Sequence, residues 1–112
     1  MQIETRKVYD ILVVDMIGKL DTTTSGDASD RMVAIAQGED KQIILNLEQL
    51  EYVSSAGLQV ILRTSKLLQA RRGELKICSA NGVVKEVLEL SGFNSLLKLY
   101  ASEKDAVAAF ST

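Results

Sequence analysis

The 112 residues, 46% hydrophobic and 25% charged, have the length and make-up of one globular domain, expected to span residues 1–112 with one continuous core. A net charge of −2 argues against a nucleic-acid binder, which normally carries a basic patch. The chain has no histidine, so neither a Ser-His-Asp triad nor a histidine-containing zinc site is available, and it has no run of about 18 apolar residues able to cross a membrane.

In chain order, residues 1–7 lack the apolar stretch of a signal peptide, which places the protein in the cytoplasm. Residues 3–8 carry charges at Glu4, Arg6 and Lys7 and suit an edge strand, where charge discourages pairing with other chains. Tyr9-Asp10 is a hairpin joint into residues 11–17, a nearly continuous apolar run that reads as a buried strand. Gly18 is expected to break that run. Asp21-Thr22-Thr23-Thr24-Ser25 is a cluster of helix-capping residues, and Ala28, Met32, Ile35 and Ala36 then mark an amphipathic helix ending near Gly38. Residues 42–47 form a second buried strand, so the unit is βαβ with a right-handed crossover.

The pattern repeats. Leu58, Ile61, Leu62, Ser65 and Leu68 mark a helix face closed by Gly73. Arg63, Lys66, Arg71 and Arg72 fall on its solvated face and C-terminal end, where cations suit the dipole. Residues 74–79 form a strand in which Cys78, the only cysteine, is a small packed residue. Val83, Val84, Val87 and Leu88 mark a helix closed by Ser91-Gly92, residues 96–100 a last strand, and Ala106, Val107 and Phe110 a closing helix. The order β-β-α-β-α-β-α-β-α predicts an α/β fold: a mostly parallel central sheet with one antiparallel edge strand, covered by helices. Ligands and partners of such sheets meet the loops at the carboxyl ends of the parallel strands, here residues 19–25, 51–58 and 80–83.

The most informative stretch is Val53-Ser54-Ser55-Ala56-Gly57-Leu58, which runs from a strand into a helix through four small residues. Small residues let another molecule approach the helix N-terminus, where outward amides and the dipole favour negative charge. A purely structural role is open at each position. Ser54 or Ser55 can be the N-cap, worth ~1 kcal/mol over alanine. Gly57 can avoid a clash, Leu58 can sit in the core, and Asp21 can cap the helix it precedes. Neither G-x-G-x-x-G nor G-x-x-x-x-G-K-[ST] occurs, and no cofactor or metal is expected.

The chain resembles STAS domains (sulfate transporter and anti-sigma factor antagonist), specifically the small single-domain antagonists, over nearly its whole length. The resemblance rests on Gly18-Lys19-Leu20-Asp21, on Asn46-Leu47-Glu48-Gln49-Leu50-Glu51-Tyr52 running on through Leu58, and on Leu90-Ser91-Gly92-Phe93. In that family the helix-start motif is typically Asp-Ser-Ser-Gly or Ser-Ser-Ala-Gly-Leu, and the serine three residues before the leucine accepts phosphate. By position that serine is Ser55, with Asp21 in the pocket beside it. Ser54 stands where many members have aspartate, which leaves two adjacent hydroxyls and keeps Ser54 as the second candidate acceptor.

The resemblance implies a partner-facing set of Asp21, Thr22, Ser54, Ser55, Ala56, Gly57 and Leu58. It implies that the unphosphorylated chain binds an anti-sigma factor that is itself a serine kinase. Phosphorylation of Ser55 then releases the chain, and a serine phosphatase of the PP2C type resets it. On this reading the chain is a regulator and not an enzyme, with a monomer as the default free state. Two rivals stay open. One is a STAS subunit of a membrane lipid-transport or other signalling complex that acts without a phospho-switch. The other is an enzyme or small-ligand carrier on an α/β scaffold, for which no convergent pair of catalytic groups is visible.

Overall fold

Apolar strands that lie between two covered faces read as nearly continuous runs, and two such runs, at residues 11–17 and 42–47, build the centre of this molecule. Among residues 1–110, which the computed structural model describes, the elements are β1 (Gln2–Val8), β2 (Ile11–Leu20), α1 (Ser25–Ala36), β3 (Gln42–Asn46), β4 (Leu50–Val53), α2 (Ser55–Ala70), β5 (Glu74–Cys78), α3 (Gly82–Leu90), α4 (Phe93–Leu96), β6 (Leu99–Tyr100) and α5 (Glu103–Phe110). The last two residues of the expected domain span lie outside the described residues. The sheet runs β1-β2-β3-β5-β6, with β1 antiparallel to β2 and the other pairs parallel, as expected. Val8 pairs with Ile11 across the hairpin, and Tyr9 turns the chain with a left-handed φ of 56°.

The structure departs from the sequence-based order in three places. Gly18 does not end β2. It takes a φ of +106°, the register shifts between Gly18 and Lys19, and the strand goes on to Leu20. β4 is an added strand that takes over pairing with β2 where β3 leaves off, with Gly18 opposite Leu50, Lys19 opposite Tyr52 and Leu20 opposite Val53. Leu96 closes the short helix α4 instead of opening a strand, so β6 is reduced to two residues.

One sheet face carries the larger core. Val14, Met16, Leu20, Ile43, Leu45, Leu47, Leu75 and Ile77 pack against Ala28, Met32 and Ala36 of α1, Leu58, Ile61 and Leu68 of α2, and Val84 and Leu88 of α3. Val83 was expected in this set, but it points to solvent, 55% exposed. The opposite face is narrower: Ile11, Val13, Ile44 and Cys78 lie under Ala106, Val107 and Phe110 of α5. Burial pushes the Cys78 thiol up to about 11, so it stays protonated and inert near neutral pH.

Polar contacts fasten the helices to this frame. Arg6 pairs with Asp15 of β2 at 2.9 Å and with Glu103 at the start of α5, and Asn46 Nδ2 donates to Glu103 Oε1 at 3.0 Å. Arg71 lies at the C-terminal end of α2, as expected, where it is the C-cap, and its side chain also closes the end of α1: its Nη1 donates to the carbonyls of Ala36 (2.6 Å) and Gly38 (2.7 Å). No helix among the described residues is long and apolar enough to cross a membrane.

Candidate functional site

The site lies where β2 and β4 end side by side. β4 buries Leu50 and Val53 and exposes Glu51 and Tyr52, so Val53 faces the core and the chain leaves the sheet edge directly into α2. The backbone amide of Ser54 donates to the carbonyl of Leu20 at 2.9 Å, which sets the start of α2 beside the end of β2. Asp21, the residue after Leu20, is thus one peptide unit from this contact with Ser54, and the pairing of Leu20 with Val53 fixes the register of the two chain segments.

The two serines divide their roles. Ser54 has an extended backbone (φ −95°, ψ 175°), and its hydroxyl accepts from the amide of Gly57 at 3.2 Å, so it is the N-cap. Ser55 is the first residue of α2 and is exposed, and its hydroxyl has no hydrogen-bond partner among the described residues. The first turn of α2 holds no acidic side chain, so no residue of the helix itself offsets the positive end of its dipole.

Gly57 is required by contact. A Cβ on it would stand 2.7 Å from the Leu20 carbonyl oxygen, 2.8 Å from Leu20 Cγ and 2.9 Å from Val53 Cγ2, distances that real Cβ atoms do not tolerate. Gly57 and Leu58 are buried, and Leu58 belongs to the larger core. Within the chain they hold the helix start against β2 and β4. Ser55 and Thr22 are exposed, while Asp21, Ser54 and Ala56 are half-buried.

Asp21 is anchored by its own turn. Its Oδ1 accepts from the amide of Thr23 (3.0 Å), the hydroxyl of Thr23 (2.8 Å) and the amide of Thr24 (3.1 Å). Its backbone amide donates back to Thr24 Oγ1 at 2.9 Å. The Thr23 hydroxyl is the main reason that the carboxyl is held below the usual aspartate range. Oδ2 accepts no hydrogen bond among the described residues. The residues that sequence reasoning missed are the positioning ones, namely Leu20, Val53, Thr23 and Thr24. The threonine cluster after Asp21 was a readable sign of a side-chain turn, whereas the contact of Leu20 with Gly57 left no local sign.

Fold and site together define a small α/β domain that presents a helix N-terminus, with one engaged and one free hydroxyl, at the carboxyl end of its sheet. The chain belongs to the STAS domain family, whose model matches residues 2–106. It is 32% identical over 112 residues to BtrV of Bordetella bronchiseptica, a protein assigned as an anti-sigma factor antagonist, covering 100% of this chain and 97% of that protein. It is 33% identical over 108 residues to the anti-sigma F factor antagonist of Paenibacillus polymyxa, covering 96% and 92%. Among solved structures, a Thermotoga maritima protein assigned as an anti-sigma factor antagonist superposes with a TM-score of 0.89 at 20% identity, covering 96% of this chain and 92% of that one. The Bacillus cell fate determinant SpoIIAA in its phosphorylated form superposes with a TM-score of 0.73 at 22% identity, covering 97% and 99%. At these identities the two structures bear on the fold alone.

Proposed function

We propose that this chain is an anti-sigma factor antagonist whose grip on an anti-sigma factor serine kinase is switched by phosphorylation of Ser55. The observation that carries this reading is the division of roles between the serines. Ser54 is engaged in capping α2, while Ser55 offers an exposed and unengaged hydroxyl at the same helix start. The antagonist names of its relatives in Bordetella bronchiseptica and Paenibacillus polymyxa support the same reading.

The physics of the switch is local. Phosphate adds about −1.5 to −2 charges at neutral pH. At a helix N-terminus without acidic neighbours in its first turn that charge is tolerated, so the fold survives modification. Against a bound partner the same group brings bulk and charge beside the carboxylate of Asp21, and every ~1.4 kcal/mol of mismatch is tenfold in affinity. One phosphate thus releases the partner without refolding the chain, and a PP2C-type phosphatase restores binding by removing it. In this cycle the chain is a cytoplasmic regulator and substrate, not a catalyst.

The test uses the purified chain with the purified anti-sigma factor kinase of the same genome and Mg-ATP, followed by intact mass and peptide sequencing. The expected result is one phosphate on Ser55 and loss of kinase binding. A chain that binds in complexes but never takes phosphate would instead be a STAS subunit working without a phospho-switch.

A further inference from the structure

We infer that the exposed face of α2, with the groove it forms against α1, is a cationic docking strip for an acidic segment of the partner kinase. This rests on the reading of the chain as that kinase's substrate and extends it by naming how the kinase is held.

The first observation is a charge asymmetry. Acidic residues outnumber basic ones 15 to 13 in the chain, yet the 16 residues of α2 include no aspartate or glutamate. Its two cations, Arg63 and Lys66, are exposed and make no hydrogen bond or ion pair among the described residues. Five other cations are occupied: Arg6, Lys7 and Lys76 hold carboxylates, and Arg31 and Arg71 hold backbone carbonyls. Lys19, Lys41, Arg72, Lys85, Lys98 and Lys104 are also without a side-chain partner among the described residues, so what sets Arg63 and Lys66 apart is their place on a helix that carries no acid. Among the described residues these two cations on one acid-free helix have no structural partner.

The second observation is their placement. Ser55, Gln59 and Arg63 recur every four residues and Lys66 follows three later, so they share one side of the helix. The line begins at the free hydroxyl and runs for roughly 17 Å at 1.5 Å per residue, the span of about five extended residues.

The third is shape. Ser25, Gly26 and Ser29 of α1 face Ala56 and Val60 of α2 across a groove of about 390 Å³ that reaches Gln59 and Arg63. A Cβ at Gly26 would meet nothing within 4 Å among the described residues, so the groove is open there. A second hollow of about 390 Å³, bordered by Leu62 and Lys66, shares Gln59 and Arg63 with the first and continues it. Among the described residues no carboxylate lines either hollow. The floor is small and apolar and the far rim is cationic, which suits an extended segment with small apolar side chains and carboxylates.

An acidic protein segment fits better than a polyanion. A chain of net charge −2 repels nucleic acid and anionic lipid at long range. A local cation pair acts within a Debye length, about 8 Å at physiological salt, and so serves a seated partner. The arrangement also adds to release, because phosphate on Ser55 places negative charge at the near end of the strip and opposes the acidic occupant.

The test compares wild type, the double variant Arg63→Glu/Lys66→Glu, and the control Lys98→Glu/Lys104→Glu, whose cations are exposed elsewhere. Affinity for the purified anti-sigma factor kinase of the same genome is measured without ATP at about 50 and about 300 mM salt, and initial phosphorylation rates with Mg-ATP. The expected result is a loss of affinity of roughly tenfold or more in the α2 variant alone, a flatter salt dependence, and a raised KM with kcat nearly unchanged. An α2 variant that binds with wild-type affinity and salt dependence overturns the inference, even if Ser55 is phosphorylated. A wild-type chain that binds the kinase but is never phosphorylated sinks the phospho-switch, and the affinity comparison still decides the strip. A wild-type chain that does not bind the kinase overturns both.

Discussion

Gly57 lies so close to the end of β2 that a Cβ on it would stand 2.7 Å from the carbonyl oxygen of Leu20. That carbonyl also accepts the amide of Ser54 at 2.9 Å, so one peptide group of β2 both places α2 and limits how its first turn is built. Gly57→Ala is therefore expected to cost ~1–3 kcal/mol by overpacking, read as a lower urea midpoint at unchanged slope. Because α2 must shift to relieve the contact, phosphate acceptance at Ser55 should fall as well.

The serine pair predicts opposite outcomes for two similar substitutions. Ser54→Ala removes the hydroxyl that accepts from Gly57 and should lose ~1 kcal/mol of stability while Ser55 still takes phosphate. Ser55→Ala should leave stability within about 0.5 kcal/mol and abolish phosphorylation. Urea unfolding and intact mass after kinase treatment read the two effects separately, and a phosphate on Ser54 in the Ser55→Ala chain would overturn the assignment.

Asp21 separates its structural and functional parts by atom. Asparagine keeps the Oδ1 acceptor for Thr23 and Thr24, so Asp21→Asn should hold thermal stability nearly unchanged, whereas Asp21→Ala should lose ~1 kcal/mol with the turn. Only Asp21→Asn isolates the charge and the unengaged Oδ2. It is expected to weaken kinase binding or phosphorylation, and equal binding by the two proteins would confine Asp21 to the turn.

The anchorage of α5 predicts a pH dependence. Hydrogen bonding to Arg6 is the main reason that Glu103 is held below its ordinary value of 4.5. A carboxyl depressed in the folded state stabilises it above the unfolded value, and that stability is lost as pH falls from about 4.5 through the folded value. Glu103→Gln should thus be less stable than wild type at pH 7, and the difference should shrink as pH is lowered below about 4.5. Urea midpoints at a series of pH values measure it.

Local pattern carried most of the elements. The spacing of Ala28, Met32 and Ala36 and the alternation along residues 75–78 express periods of 3.6 and 2, and the apolar run of β2 is equally local, so a short window records all three. β4 could not be read this way, because four residues with burial only at Leu50 and Val53 give too few periods to register. Gly18 misled for a related reason: glycine weakens a strand locally, but here pairing with Leu50 carries β2 past it. Leu96 resembled a strand start by composition, and the tight turn of α4 at Gly92–Phe93 overrode it.

By itself, then, the sequence determined the α/β plan, the small-residue helix start at Ser54 to Gly57, and the lack of histidine chemistry, because composition and spacing are properties of the chain alone. The tertiary structure alone decided which serine is engaged, what stands beside Asp21, and why Gly57 admits no side chain. Those facts depend on contacts between segments more than thirty residues apart, Leu20 against Val53 and Gly57, and only the closed sheet brings them within reach.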